Sequence, residues 1–161
     1  TQGVSSAASD VYKRQAHTHT SAGMAVACSE KGLRNDNFYS ALLHNRIAYH
    51  DFEGITVMDD EKPRLVANLG DKTLLILRNH GLLACGRTIP EAFMNLWSLE
   101  RSCEVQVTCD STNQPMIPVP NEVLEKSEQL MAKQSMGKPA GELEFSAFVR
   151  IIDKIDSSYK D

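Results

Sequence analysis

Several features that would place this chain in a specialised class of protein are missing from its sequence. No window approaches eighteen consecutive apolar residues, so no transmembrane helix is predicted. The N-terminal residues lack the basic-then-apolar order of a secretory signal peptide. The 17 basic residues are outnumbered by 21 acidic ones and form no basic cluster, which argues against nucleic-acid binding. We therefore expect a cytoplasmic protein with neither a membrane nor a nucleic-acid partner.

Cysteine pairs and glycine-rich phosphate loops are also absent. The four cysteines are scattered among apolar neighbours without any C-x-x-C pair, which favours reduced thiols over a disulfide framework or a cysteine zinc site. No glycine-rich segment of the P-loop or Rossmann type occurs. What remains is an ordinary globular composition: 161 residues with 42% hydrophobic content are enough for one domain with its own core.

The first fifteen residues differ from the rest of the chain. They are rich in serine and alanine and show no sustained hydrophobic period. A buried strand would normally be preceded by β-branched or apolar residues, and only Ala16 stands in that place. We expect residues 1–15 to be a tag, a linker, an artefactual end or a disordered terminus, and we assign the domain to residues 16–161.

Strands and helices are predicted to alternate along the remaining sequence. Strands are expected at residues 47–52, 73–77 and 82–85, and helices at residues 21–31, 37–45, 59–69, 121–134 and 142–159. The longest helix should begin after Thr88 as the cap, with Pro90 in its first turn, and run through Val107. A loop is expected from residue 110 to 120, and a hinge from 137 to 141. This alternation predicts an α/β layered domain.

Three of the five histidines occupy positions from which they could bind one metal ion. His17 and His19 are two residues apart, and in an extended strand such side chains point to the same side. His80 follows the predicted strand at 73–77, at a turn into the next strand. Three imidazoles with an open fourth position are typical of a catalytic zinc site. The sequence therefore predicts a zinc or other divalent-metal centre at these residues.

The remaining polar candidates are less specific. His50 is either a structural histidine or a fourth ligand or proton shuttle, whereas His44 is expected to be structural. Arg78 could hold an anionic substrate, or it could be a solvated surface charge or an ion-pair partner. A Lewis-acid metal also needs a proton-transfer group. The candidates, none of which has a distinguishing spacing, are Tyr49, Asp51, Glu53 and Glu61.

Four segments occur in an order that resembles a known family. They are residues 17–26 (HTHTSAGMAV), 47–54 (IAYHDFEG), 77–83 (LRNHGLL) and 102–106 (SCEVQ). Together they resemble the class II aldolase and adducin head family, and most closely its adducin-like bacterial branch. The resemblance covers about residues 16–160.

The resemblance implies a three-layer αβα sandwich, a homotetramer, and a divalent metal, generally zinc, held by His17, His19 and His80. Relatives act on phosphorylated ketoses. Their metal stabilises an enediolate, from which aldol cleavage, epimerisation or dehydration follows. The resemblance thus implies a lyase-type enzyme of carbohydrate metabolism. The alternative that it leaves open is an adducin-like, non-catalytic module for assembly and partner binding.

One departure from the family pattern bears on activity. Family members carry a further segment upstream of the His-x-His motif, with the loops that bind the substrate phosphate and the acidic residue that serves as base. That segment is not recognisable in residues 1–15. We therefore expect a fold that is incomplete at the N-terminus and a chain that is an inactive fragment of its parent.

Overall fold

The computed structural model of the chain describes residues 14–54, 61–135 and 140–160. Within these ranges it contains four strands and six α-helices, followed by a short 3₁₀ turn. In chain order they are β1 (Arg14–Thr18), α1 (Ser21–Cys28), α2 (Phe38–Ala41), β2 (Ile47–His50), α3 (Glu61–Leu69), β3 (Leu74–Leu77), β4 (Gly81–Gly86), α4 (Ile89–Ser111), α5 (Asn121–Ser135), α6 (Glu142–Ile155) and the 3₁₀ turn (Ser158–Lys160).

The four strands form one mixed sheet in the order β1-β4-β3-β2. β4 is antiparallel to both of its neighbours, and β2 is parallel to β3. β1, β2 and β3 consequently run in the same direction, so their carboxyl ends meet at one edge of the sheet. The predicted α/β class is confirmed.

The hydrophobic core lies between the sheet and helices α1 and α4. All four residues of β3 are buried, as a near-continuous apolar run in a central strand predicts. The core cluster consists of Val26, Ala27, Leu33, Leu43, Leu74, Ile76, Leu82, Ala84, Leu96, Leu99 and Cys103. Because α4 contributes three of these residues, it is held firmly against the sheet, where it packs on β4, β1 and β3.

Helix α4 begins as predicted but extends further. The Glu91 backbone N–H donates to Oγ1 of the capping Thr88 over 3.2 Å, and Pro90 lies in the first turn. The helix continues to Ser111, past the end predicted at Val107 and into the loop predicted from residue 110. The hydroxyl of Thr108 donates to a carbonyl one turn back. A polar sequence that signals a loop can therefore also finish a solvent-exposed helix.

The first strand begins two residues earlier than the sequence indicated. Arg14 and Gln15, assigned above to the N-terminal segment, pair with Gly86 and Cys85 in the antiparallel register of β1 and β4. At the edge of a sheet this pairing involves backbone groups and requires no apolar alternation, which is why the pattern missed it. The expectation for residues 1–13 lies outside the described residues.

Other boundaries differ by a few residues. The helix predicted at 37–45 is α-helical for a single turn, because the backbone N–H groups of residues 42–44 donate to carbonyls three residues back instead of four; Asn45 then adopts the left-handed conformation at φ 59°. β2 ends at His50, two residues early, and α6 ends at Ile155, before the 3₁₀ turn. Helix α1 ends at Cys28, three residues early. The start of the helix predicted at 59 and most of the hinge at 137–141 lie outside the described residues.

The cysteines and the helices bear on two further expectations. All four cysteines are free; Cys85 and Cys103 are buried, whereas Cys28 is exposed. Burial raises the pKa of Cys85 to about 11 and that of Cys103 to about 12, so both remain protonated thiols at neutral pH. Within the described ranges, no helix combines the length and the apolar character needed to cross a membrane.

Candidate metal centre

The structure brings His17, His19 and His80 together at the carboxyl edge of the sheet. Their ring centroids are 4.5 Å apart for His17 and His19, 5.0 Å for His17 and His80, and 4.7 Å for His19 and His80. One nitrogen from each ring lies within 4.8 Å of the other two. The cluster forms because β1 and β3 point the same way and β4 lies between them, starting from this edge.

The ring of His17 is oriented by the neighbouring strand. Its Nδ1 lies 2.7 Å from the carbonyl oxygen of Leu82, which can only accept, so Nδ1 carries the proton and Nε2 has the free lone pair in the neutral ring. That Nε2 lies 2.7 Å from Nε2 of His19. A histidine that ligates a metal usually donates its other ring N–H to such a partner.

His80 is presented by a tight turn between β3 and β4. The His80 backbone N–H donates to Leu77 O over 3.1 Å, and the N–H of Asn79 donates to Ala27 O at the end of α1 over 3.2 Å. Asn79 adopts the left-handed conformation at φ 55°, which asparagine tolerates better than most residues. These hydrogen bonds tie the turn that carries His80 to the end of β3 and to the end of α1.

Gly81 follows His80 and allows the two histidine-bearing segments to approach each other. A Cβ at this position would lie 2.3 Å from the carbonyl oxygen of Thr18 and 2.9 Å from Cδ2 of His19. Gly81 is not among the glycines at positive φ, so its backbone conformation does not itself require a glycine. A glycine is needed here because the backbone of Gly81 and that of Thr18 approach each other too closely for a side chain.

Burial is the largest influence on the pKa of His80 and lowers it below the ordinary value. The positive charges that His17 and His19 would carry lower it further, whereas the carboxylate of Glu61 opposes the shift. Three imidazoles this close cannot all be protonated without mutual repulsion. The lowered pKa of His80 favours its neutral ring, the form in which histidine binds a metal ion.

His50 lies in a second cluster instead of joining the first three. Its Nε2 is 3.2 Å from Oε1 of the buried Glu61 and 3.8 Å from Oε1 of Glu53. The side-chain amide of Asn68 lies 2.8 Å from His50 Nδ1; if it donates there, Nε2 carries the proton that Glu61 accepts. Glu53 also accepts from Arg64 Nε over 2.8 Å, so both carboxylates already have partners.

The other candidates from the sequence have local structural contacts. The guanidinium of Arg78 lies 4.2 Å from the centroid of the Tyr49 ring and donates to Ser29 O over 2.7 Å. The hydroxyl of Tyr49 accepts from the backbone N–H of Leu33 over 3.0 Å. His44 lies 3.3 Å from the Asn35 amide, away from both clusters. Arg78 is thus held by contacts within the domain, and its role in binding an anionic substrate stays a prediction.

Comparison with known proteins agrees with this geometry. The profile of the class II aldolase and adducin N-terminal domain matches residues 10–107. The chain belongs to this family. Class II aldolases generally depend on a divalent metal, and the present class II aldolase domain contains groups that could ligate one.

Two curated relatives illustrate the range of the class II aldolase family. A Pseudomonas aeruginosa protein provisionally named as a class 2 aldolase is 38% identical over 149 residues, which cover 89% of this chain and 56% of the relative. Alpha-adducin of Rattus norvegicus is 37% identical over 150 residues, covering 86% of this chain and 20% of the adducin. The chain therefore spans about half, or less, of the length of these relatives.

Solved structures of the family show the same fold. An aldolase II superfamily protein from Pseudomonas syringae superposes with a TM-score of 0.84 at 35% identity, covering 96% of this chain and 62% of that one. An L-fuculose 1-phosphate aldolase from Glaciozyma antarctica superposes with a TM-score of 0.69 at 26% identity, covering 88% and 51% of the two chains.

The hydrogen bonds made by the threonines next to the histidines in this class II aldolase domain were not identified from the sequence. Glu100 of α4 accepts a hydrogen bond from the hydroxyl of Thr18 and another, of 2.6 Å, from that of Thr20. The alternation of histidine and threonine over residues 17–20 carried a usable signal, since it places hydroxyls opposite the imidazoles. Nothing in the sequence singled out Glu100 as their partner.

Proposed function

We propose that this chain is part of a metal-dependent, aldolase-type enzyme in which His17, His19 and His80 ligate zinc or a similar divalent ion. The observation that supports this proposal best is the convergence of three ring nitrogens within 4.8 Å, from segments more than sixty residues apart. A chain that served only as a scaffold would have no need for three imidazoles at one point.

The donor set fits such an ion. Three neutral imidazoles leave a fourth position open, as catalytic zinc sites do. The lowered pKa of His80 helps to keep its ring unprotonated, and the Leu82 carbonyl holds His17 with Nε2 free. When bound, a divalent ion supplies Lewis-acid chemistry towards the carbonyl and hydroxyl oxygens of a substrate. The chain's own contribution is to hold three lone pairs in a fixed arrangement.

We propose a phosphorylated ketose as the substrate and aldol cleavage as the reaction. Support comes from the similar fold of the L-fuculose 1-phosphate aldolase and from its 26% identity with this chain. A ketose presents a carbonyl next to a hydroxyl, and these two oxygens suit a single metal with an open coordination position.

The metal site can be tested by elemental analysis of protein purified without chelators. We expect about one zinc or similar ion per chain, as in other three-histidine sites. His80→Ala should abolish retention of the ion, whereas His44→Ala, which alters a histidine outside both clusters, should not. A wild-type chain without metal, or metal retained by His80→Ala, would contradict the proposal.

The proton-transfer group is expected to come from outside the three-histidine cluster. The two glutamates that the sequence offered as proton-transfer groups are engaged: Glu61 contacts His50, and Glu53 accepts from Arg64. We therefore propose that the 161-residue chain alone does not cleave sugar phosphates. Measurable cleavage by the purified chain, lost on His80→Ala, would refute this inactivity while supporting the metal site.

An adducin-like assembly module is the second candidate, favoured by the 37% identity with alpha-adducin. It predicts no need for metal, so the elemental analysis separates the two functions.

Both candidates are compatible with a homo-oligomer, for which we propose the apolar face of α6 as a contact. Ile155→Asp, at a residue 75% exposed, should then lower the sedimentation coefficient. A wild-type monomer would rule out this contact.

A further inference from the structure

We propose that Glu100 is a positioning residue for the three-histidine centre. Its two carboxylate oxygens each accept a hydrogen bond from a threonine hydroxyl: Oε1 from Thr18, and Oε2 from Thr20 over 2.6 Å. These threonines stand on either side of His19 in the sequence. One side chain from a helix eighty residues away thus holds the segment on both sides of a candidate ligand. This inference rests on the metal site proposed above.

The contacts lie on the opposite side of the segment from the imidazoles. Side chains alternate along extended backbone, so Thr18 and Thr20 face one way while His17 and His19 face the other. The observed partners follow this division, since the threonines meet Glu100 and the histidines meet each other. Glu100 can therefore orient the ligands without occupying their coordination space.

His19 needs such support more than the other two histidines. The Leu82 carbonyl fixes the ring of His17, and His80 lies in a hydrogen-bonded turn. Pairing of β1 with β4 ends at Thr18, one residue before His19. Across the described ranges, the one hydrogen-bonding contact of the His19 ring is with His17. The position of His19 consequently depends on how its backbone is held.

Glu100 is attached to a rigid part of the molecule. It follows Leu99, which is fully buried, on a helix that also places Leu96 and Cys103 in the core. Thr20 is in addition the cap of α1, with its hydroxyl accepting from the Gly23 N–H over 3.1 Å. The carboxylate therefore joins the end of β1 and the start of α1 to the core helix.

Loss of this support should weaken metal binding although no ligand is removed. Partners that orient metal ligands typically change affinity by about 10- to 100-fold when they are mutated. We expect Glu100→Ala to lower affinity within that range. Glu100→Gln keeps the volume and one acceptor oxygen, so its effect should be smaller. Thr18→Val removes one hydroxyl without changing the shape of the side chain and should act in the same direction.

The test is a titration of the full chain with Co²⁺, followed by its visible absorption. The matched control is Glu104→Gln, one turn further along α4, where the carboxylate pairs with Arg101 instead of a threonine. We expect wild type and control to give the same affinity and spectrum. Glu100→Ala should bind Co²⁺ more weakly and show altered band positions or intensities, because the ligand geometry is less fixed.

A purely structural role gives a different result. In that case Glu100→Ala would lower the unfolding temperature of the metal-free chain, while the folded protein would bind Co²⁺ with unchanged affinity and spectrum; this outcome overturns the inference. If Glu100→Ala does not fold, the same criteria apply to Glu100→Gln and Thr18→Val. A wild-type chain that binds no Co²⁺ refutes the proposed function and this inference with it, whereas equal binding by wild type and variants refutes this inference alone.

Discussion

Strand β3 and helix α6 contain similar apolar residues, but those of β3 are buried and those of α6 are largely exposed to solvent. Every residue of β3, Leu74–Leu77, is buried. In α6 no residue is buried, and Ile151, Ile152 and Ile155 are 53%, 47% and 75% exposed. The first segment lies between two paired strands and under the core helices, whereas the second contacts the rest of the chain along one side.

The contact between α6 and the core depends on a small set of aromatic rings. Phe93 of α4 meets Phe145 and Phe148 edge-on, at centroid distances of 5.4 and 5.6 Å. The apolar residues beyond these rings border an open groove of about 340 Å³. Amphipathic periodicity therefore predicts which face of a helix is apolar, but it does not predict whether another element covers that face. The fold's stability should reside in the sheet and α4.

The largest expected effect compares one apolar truncation from each region. Leu82→Ala removes a side chain that is fully buried between β4 and α1, and should lower the free energy of unfolding by about 2–5 kcal/mol. Ile152→Ala, at a residue 47% exposed, should cost less than about 1 kcal/mol. Urea unfolding monitored by circular dichroism measures both. Equal losses would show that the groove on α6 is better covered than its exposure indicates.

A second comparison concerns backbone approach at the metal centre. Gly81→Ala places a methyl group against the fixed carbonyl of Thr18, so overpacking should cost about 1–3 kcal/mol and displace His19. In Gly23→Ala the new methyl group meets side-chain atoms of Leu82 at 2.8 Å and the Thr20 hydroxyl, which can adjust, and alanine favours the helix. We expect a smaller loss. Thermal unfolding together with Co²⁺ binding tests both; full Co²⁺ affinity in Gly81→Ala would show that the segments can separate without harm.

The difference between these regions also explains what the sequence could predict. The run 73–77 was recognisable because a strand buried on both faces needs uninterrupted apolar residues, and His17, His19 and His80 stood out because few other roles require that spacing. Thr88 and Pro90 marked the start of α4 by local chemistry. These features depend on residues close together in the sequence, or on one residue type with a restricted use.

Long-range contacts between ordinary residues were not predictable in the same way. Glu100 is one of several similar acidic residues on α4, and its role depends on where Thr18 and Thr20 fall after folding. Arg14 and Gln15 join the sheet through backbone groups that carry no residue signature. The sequence likewise left the role of His50 open, because its contact with Glu61 requires α3 to fold against β2.

The smallest expected effect concerns an ion pair at the end of α4, remote from the core. Arg34 donates to Asp110 through Nη2 over 2.6 Å and Nη1 over 3.1 Å, and these bonds hold the pKa of Asp110 below its ordinary value. The two side chains are 34% and 50% exposed, so solvent screens the pair. A double-mutant cycle of Arg34→Ala and Asp110→Ala should give a coupling of about 0.2–1 kcal/mol at neutral pH.

The sign of the pH dependence follows from the direction of that shift. Because the folded chain favours ionised Asp110, the contribution is fully present above the ordinary carboxyl pKa of about 3.9 and is lost as the pH falls below it. High salt should reduce the coupling at neutral pH as well. Repeating the cycle at low pH and at high salt measures both effects. A coupling that persists under both conditions would show that Arg34 stabilises the end of α4 by packing and not by charge. The exposed end of α4 would then be stabilised by packing, as its core-facing residues are, and would differ from the exposed apolar face of α6.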